Sequence, residues 1–122
     1  MNQDKRVLIV DDETEICILL SGIIRKRNMD PFYVHTIAEA KEVLSREDPK
    51  VVFIDINLPD GNGIDLVTQL RLNHPDTKIV IISAFDSFKD QAIRNGADKF
   101  LSKPFNREAI VEVLNNSASI DK

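Results

Sequence analysis

Several things are scarce in this chain, and each scarcity narrows what it can be. It has one cysteine, Cys17, so no intrachain disulfide can form, and a reducing compartment is the natural reading. Cys17 shares a helical face with Leu20 and Ile24, which marks it as a small buried hydrophobe. There is no excess of base: 16 Lys and Arg against 20 Asp and Glu leave a net charge of -4. That balance argues against direct nucleic-acid binding, whose phosphate contacts need a basic face. No apolar run approaches the ~18 residues of a membrane span. Met1 to Arg6 leads into a short apolar stretch and two aspartates, which is no signal peptide. The expectation is a cytoplasmic protein with no membrane partner. Repeats, low-complexity tracts and linkers are also lacking, so residues 1–122 read as one domain with its core at about 5–116. The polar tail 117–122 is expected to fray. A chain of 122 residues buries roughly two-thirds of the surface its unfolded form exposes, so neither disulfide nor structural metal is needed for folding.

What is present is a fivefold alternation. Short apolar runs occur at Val7–Val10, Phe32–Val34, Val51–Ile54, Ile79–Ile82 and, less sharply bounded, Phe100–Leu101. Runs rich in β-branched residues without polar alternation fit strands covered on both faces. Between them lie apolar stripes at helical spacing: Ile16, Leu20, Ile23 and Ile24; Ala40, Val43 and Leu44; Ile64, Val67 and Leu70 with Arg71 beside them; Ala92 and Ile93, stopped by Asn95-Gly96; and Ile110, Val111 and Leu114. Asn106 is a good N-cap for the last, with Glu108 in its first turn. This β-α pattern predicts an α/β fold, a three-layer (βα)5 sandwich of flavodoxin-like type. Its five-stranded sheet is expected to be parallel, with helices on both faces.

The informative polar residues stand at the strand ends. Asp11 and Asp12 come after the first, Asp55 ends the third, Ser83 ends the fourth, and Lys103-Pro104 comes after the fifth. Singly, each has an ordinary explanation. Paired aspartates cap helices, a strand-end Asp or Ser forms turns, and a lysine is usually a solvated charge. Jointly they meet, because ligands of an open parallel sheet bind outside the carboxyl ends of the strands. Three carboxylates that close repel one another and call for a cation. Hard oxygen ligands suit Mg²⁺, which favours phosphoryl oxygens. Lys103 supplies a charge, and Ser83 a hydroxyl, for further anionic oxygens. The chemistry that fits is in-line phosphoryl transfer, with a carboxylate as nucleophile.

Taken together, Val10-Asp11-Asp12-Glu13, the loop Asp55-Ile56-Asn57-Leu58-Pro59-Asp60-Gly61-Asn62-Gly63, Ser83-Ala84-Phe85, Asn95-Gly96-Ala97-Asp98 and Phe100-Leu101-Ser102-Lys103-Pro104-Phe105 resemble the receiver domains of two-component response regulators. The likeness covers roughly Lys5 to Leu114 and implies a CheY-like fold, with the five parallel strands in the order 2-1-3-4-5. It also implies that Asp55 is the phosphoacceptor, charged by a histidine kinase or histidine phosphotransfer protein to form an aspartyl phosphate. Asp12 and Asp55 would bind Mg²⁺ directly, with Mn²⁺ as a substitute, Asp11 acting through a water and Asn57 giving its backbone carbonyl. Ser83 and Lys103 would bind the phosphoryl oxygens. Phe100 would be the switch aromatic, turning inward as Ser83 moves. The Lys103-Pro104 peptide would be cis, and Gly61 and Gly63 would serve a loop where positive φ is common. Such a domain is no enzyme beyond its own phosphotransfer and dephosphorylation. Its output is through another protein or a following domain, and it can dimerise on phosphorylation through helix four, strand five and helix five. In one respect the chain departs from the pattern. Ser83 and Lys103 are about two residues closer than the family leads one to expect, at the cost of the loop and start of the fourth helix.

Three rival readings remain. A hydrolase of haloacid-dehalogenase type would also use an aspartyl phosphate, but it places a second Asp where this chain has Asn57. A flavodoxin-like nucleotide module would want a glycine-rich or hydroxyl-rich first turn, not Asp11-Asp12-Glu13-Thr14-Glu15. A receiver fold that has lost phosphorylation would not keep all five site residues. His35 and His74 are not spaced to share a metal.

Overall fold

The computed structural model describes residues 5–119, with side chains through 115. Strands β1 (Arg6–Val10), β2 (Asp30–Val34), β3 (Val51–Asp55), β4 (Lys78–Ser83) and β5 (Lys99–Ser102) alternate with helices. These are α1 (Thr14–Lys26), α2 (Ile37–Leu44), α3 (Gly63–Asn73), α4 (Lys89–Arg94) and α5 (Arg107–Ser119). The five strands pair in parallel in the order β2-β1-β3-β4-β5, the predicted one. An antiparallel ribbon of Asn57–Leu58 against Gly61–Asn62, which the sequence pattern does not announce, comes after β3. No described helix is long and apolar enough to cross a membrane.

Side chains alternate across a strand, and here both faces are apolar. Val7, Ile9, Val51, Phe53, Val80 and Ile82 meet α1 and α5 through Cys17, Leu20, Ile24, Ile110 and Val113. Leu8, Val10, Val52, Ile54, Ile79 and Ile81 meet α2, α3 and α4 through Ala40, Leu44, Val67, Leu70 and Ala92. That double cover is why the strands read as unbroken apolar runs, and it gives the three layers. Cys17 is fully buried.

Local chemistry sets the ends of the elements. Thr36 Oγ1 accepts the Glu39 N–H at 3.1 Å, Asn62 Oδ1 that of Ile64 at 2.8 Å, and Asn106 Oδ1, as predicted, that of Ala109 at 2.8 Å. Helix α4 stops at Asn95 with Gly96 at φ +120°, a left-handed terminus suited to glycine. At six residues α4 is the shortest of the five helices, preceded by a 3-10 turn at Asp86–Phe88. Both lie in the segment between Ser83 and Lys103. Helix α5 runs through Ser119, past the start of the expected tail. The rest of the tail, from 120 on, lies outside the described residues.

Two expectations about the loop after β3 part company. Gly61 has φ +153°, as expected, whereas Gly63 is not in the positive-φ region. Gly63 is needed for close approach instead. A Cβ there would sit 2.2 Å from the backbone oxygen of Asp55 and 2.8 Å from Ile54 Cγ2.

Candidate functional site

β1 and β3 are neighbours, with Val10 in register with Ile54. They flank the point where the strand order reverses, the crevice where open α/β sheets take ligands. Asp11, the residue after β1, and Asp55, the last of β3, therefore emerge side by side. Asp11, Asp12 and Asp55 each offer a carboxylate oxygen, and these oxygens lie within 4.8 Å of one another. Asp11 is fully buried, Asp55 is 5% exposed, and Asp12 faces solvent. Lys103, after β5, reaches into the cluster, with Nζ 3.1 Å from Asp11 Oδ2 and 3.4 Å from Asp55 Oδ2.

Asp11 is held from several sides. Its Oδ1 accepts the Glu13 N–H at 2.8 Å, so the turn-forming role of a strand-end aspartate is real here and occupies one oxygen. Its N–H donates to the Val34 carbonyl at 3.1 Å. Its own carbonyl accepts the Cys17 thiol at 3.3 Å and His35 Nδ1–H at 2.9 Å. A carbonyl only accepts, so the His35 proton sits on Nδ1. Burial, with the Asp11 charge added, pushes the Cys17 thiol up to about 12. The thiol therefore stays a donor and not a nucleophile. Asp11 Oδ2 is sealed from solvent and makes no hydrogen bond. Its relation to Lys103 is an ion pair without hydrogen-bond geometry.

The electrostatics arise from this packing. Burial, then the charge of Asp11, push Asp55 up to about 6, against the pull of Lys103. Burial likewise raises Asp11, opposed by the Glu13 N–H and Lys103. Burial alone would lower Lys103, but Glu13, Asp11 and Asp55 together outweigh it and raise it. Two buried acids held above the ordinary range, one with an orphan oxygen, and a donor set made wholly of oxygen fit a hard divalent cation.

The remaining predicted residues stand nearby but are otherwise engaged. Ser83 is 1% exposed at the end of β4. Its Oγ accepts the Phe85 N–H at 3.0 Å and donates to the Phe85 carbonyl at 3.3 Å, so in this state the hydroxyl serves its own loop. The N–H of Lys103 donates to the Ser83 carbonyl at 2.7 Å. The Asn57 N–H donates to Asp55 Oδ1 at 3.4 Å, and its side chain is exposed. Phe100 is half-buried and packs against the core on the α2, α3 and α4 side of the sheet. Ser102 Oγ donates to Asp86, tying β5 to the loop that leads into α4. The Lys103-Pro104 peptide is cis. His35 and His74 are apart, the latter capping α3 and contacting Asp48 at 2.7 Å.

Sequence reasoning missed two carboxylates. Glu13 Oε1 lies 2.7 Å from Lys103 Nζ. Asp60 bonds the N-terminus of α2, accepting the N–H groups of Ile37 and Ala38 at 2.8 and 2.9 Å, which clamps the loop after β3. Both belong to the motifs that carry the receiver resemblance. The one signal they gave is that each sits in a loop at the site-bearing edge of the sheet.

A family model described as the response regulator receiver domain matches residues 7–115. The chain is 36% identical over 112 residues to the response regulator protein PilR of Pseudomonas aeruginosa, covering 90% of this chain and 25% of PilR. It thus spans a quarter of that relative's length. It is 37% identical over 114 residues to the chemotaxis protein CheY of Thermotoga maritima, covering 91% of this chain and 95% of CheY. The solution structure of the beryllofluoride-activated NtrC4 receiver domain dimer superposes with a TM-score of 0.87 at 31% identity, covering 93% of this chain and 95% of that one.

Proposed function

We propose, since the chain belongs to the response regulator receiver family, that Asp55 is the phosphoacceptor of this particular domain. A receiver is a signalling module and not a classical enzyme, and the hydrolase and nucleotide-binding alternatives are not favoured. The observation that carries the assignment is the meeting of three carboxylates and one ammonium at the strand ends, with Asp55 nearly buried among them.

In the proposed reaction a carboxylate oxygen of Asp55 attacks the phosphorus of a phosphohistidine on a partner kinase or phosphotransfer protein. The P–N bond breaks, its electron pair returns to the imidazole, and an acyl phosphate remains. Lys103, 3.4 Å from Oδ2, binds an oxygen of the transferred group. Ser83 gives up its bonds to Phe85 to bind another, and the space it leaves admits the Phe100 ring. Asp11, Asp12, Asp55 and the backbone carbonyl of Asn57 would hold Mg²⁺, or Mn²⁺ in its place. When bound, the metal neutralises the carboxylates and the phosphoryl oxygens.

The reading takes residues 1–122 as one receiver domain, working in the cytoplasm and passing its state to an output protein or attached domain. The NtrC4 receiver is described as a dimer. In this chain, dimerisation on phosphorylation would use α4, β5 and α5. Intact-mass measurement after incubation with Mg²⁺ and a small phosphodonor tests the acceptor. Wild type should gain one phosphoryl group, labile to base and hydroxylamine, and Asp55→Asn should gain none. Equal modification of both proteins overturns the assignment.

A further inference from the structure

The Lys103 ammonium makes its shortest charge contact outside the metal-binding set. Nζ is 2.7 Å from Glu13 Oε1, against 3.1 Å to Asp11 Oδ2 and 3.4 Å to Asp55 Oδ2. The position of Glu13 is built by its backbone. Its N–H donates to Asp11 Oδ1 at 2.8 Å. Its carbonyl accepts the N–H groups of Ile16 at 3.0 Å and Cys17 at 3.2 Å, opening α1. With both main-chain groups fixed, the side chain spans from the β1–α1 turn to the β5–α5 loop. The Lys103 side chain is 13% exposed and that of Glu13 60% exposed, so the glutamate lies on the solvent side of the ammonium.

We propose that Glu13 is a positioning residue that draws Lys103 toward the mouth of the site and competes for it with a phosphoryl group on Asp55. The inference rests on the proposed roles of Asp55 as acceptor and Lys103 as phosphoryl ligand. An ammonium has three donors, and three carboxylates surround this one. Two of its donors go to Glu13 and Asp55, and Asp11 Oδ2 faces it as an ion pair, so a phosphoryl oxygen that engages Lys103 competes with these carboxylates for its charge. Asp11 is fully buried and would be left further unsatisfied, whereas Glu13 can return to water at little cost, as exposed ion-pair partners do. The Glu13 charge also opposes an incoming anion at the entrance. Both effects act in the same direction, weakening occupation of the phosphoryl site.

The test is titration of the metal-loaded protein with beryllofluoride, a phosphoryl mimic, followed by amide NMR on wild type, Glu13→Gln, Glu13→Asp and Asp55→Asn. Glu13→Gln removes the charge at equal length and should lower the half-saturating concentration by roughly two- to fivefold, the range of exposed ion pairs. Glu13→Asp keeps a charge but shortens the reach by one methylene, and should fall between the two. Independently of the mimic, the Lys103 ammonium resonance of the metal-free protein should shift and exchange faster with water in Glu13→Gln. A purely structural role for Glu13 would not produce that change. Identical saturation of wild type and Glu13→Gln overturns the proposal, as does Glu13→Asp behaving as wild type. Mimic binding that survives Asp55→Asn, or fails in wild type, instead overturns the acceptor assignment, and this inference falls with it.

Discussion

Removing the charge of Asp55 tests the electrostatics of the cluster directly. Burial and the Asp11 charge push this carboxyl from 3.8 up to about 6. A shift of about two units corresponds to about 3 kcal/mol of penalty on the ionised form, at ~1.4 kcal/mol per unit. The sign comes from proton counts. The unfolded chain ionises Asp55 near pH ~4 and the folded chain near ~6, so between these the native state holds more protons and stability falls as pH rises. Above about pH 6 the penalty is complete, and below about pH 4 the carboxyl is neutral in both states and the penalty is absent. Asparagine keeps the shape and removes the charge, but forfeits the attraction of Lys103 at 3.4 Å. Asp55→Asn in EDTA should therefore gain about 1–3 kcal/mol at about pH 7.5. For a chain of this length each kcal/mol is worth roughly 3–6 °C in Tm. Thermal unfolding in EDTA at about pH 7.5 and about pH 4 gives the readout. Equal melting at the higher pH refutes the reasoning, and so does a gap that persists unchanged at the lower one.

Three other contacts give further expected outcomes. Mg²⁺ at roughly ten times its Kd should stabilise wild type by about 1.4 kcal/mol, and Asp12→Ala should lose most of that response. Melts with and without Mg²⁺ decide it, and equal responses would place the metal elsewhere. Gly63→Ala puts a methyl 2.2 Å from the Asp55 backbone oxygen and should cost about 3 kcal/mol or more, read by urea unfolding. Ser83→Ala should still bind beryllofluoride at Asp55 but fail to move the Phe100 resonances, because the hydroxyl that holds Phe85 at 3.0 Å is the proposed link to that loop. Wild-type shifts at Phe100 in the variant would remove Ser83 from the switch.

How much of the fold and site is legible in the sequence depends on whether a feature is local. The strands can be read because Val7–Val10, Val51–Ile54 and Ile79–Ile82 carry apolar side chains on both faces, and both faces are covered. The meeting of Asp11, Asp55 and Lys103 can be read because parallel βα topology delivers every strand's carboxyl end to one edge. Neither step needs knowledge of how any loop is folded. The glutamate over Lys103, the clamp of Asp60 on α2 and the approach of Gly63 to Asp55 all depend on how two loops lie against each other. Glu13 and Lys103 are 90 positions apart, and no periodicity links them. An acid beside two aspartates reads as added repulsion, because its partner comes from the opposite end of the chain. Gly63 misleads for a related reason. A glycine signals either unusual φ or close packing, and only the 2.2 Å approach separates the two. The cluster of acids can thus be inferred from topology alone. The grip that sets how readily Lys103 can leave it rests on side-chain reach between loops, which only the folded structure displays.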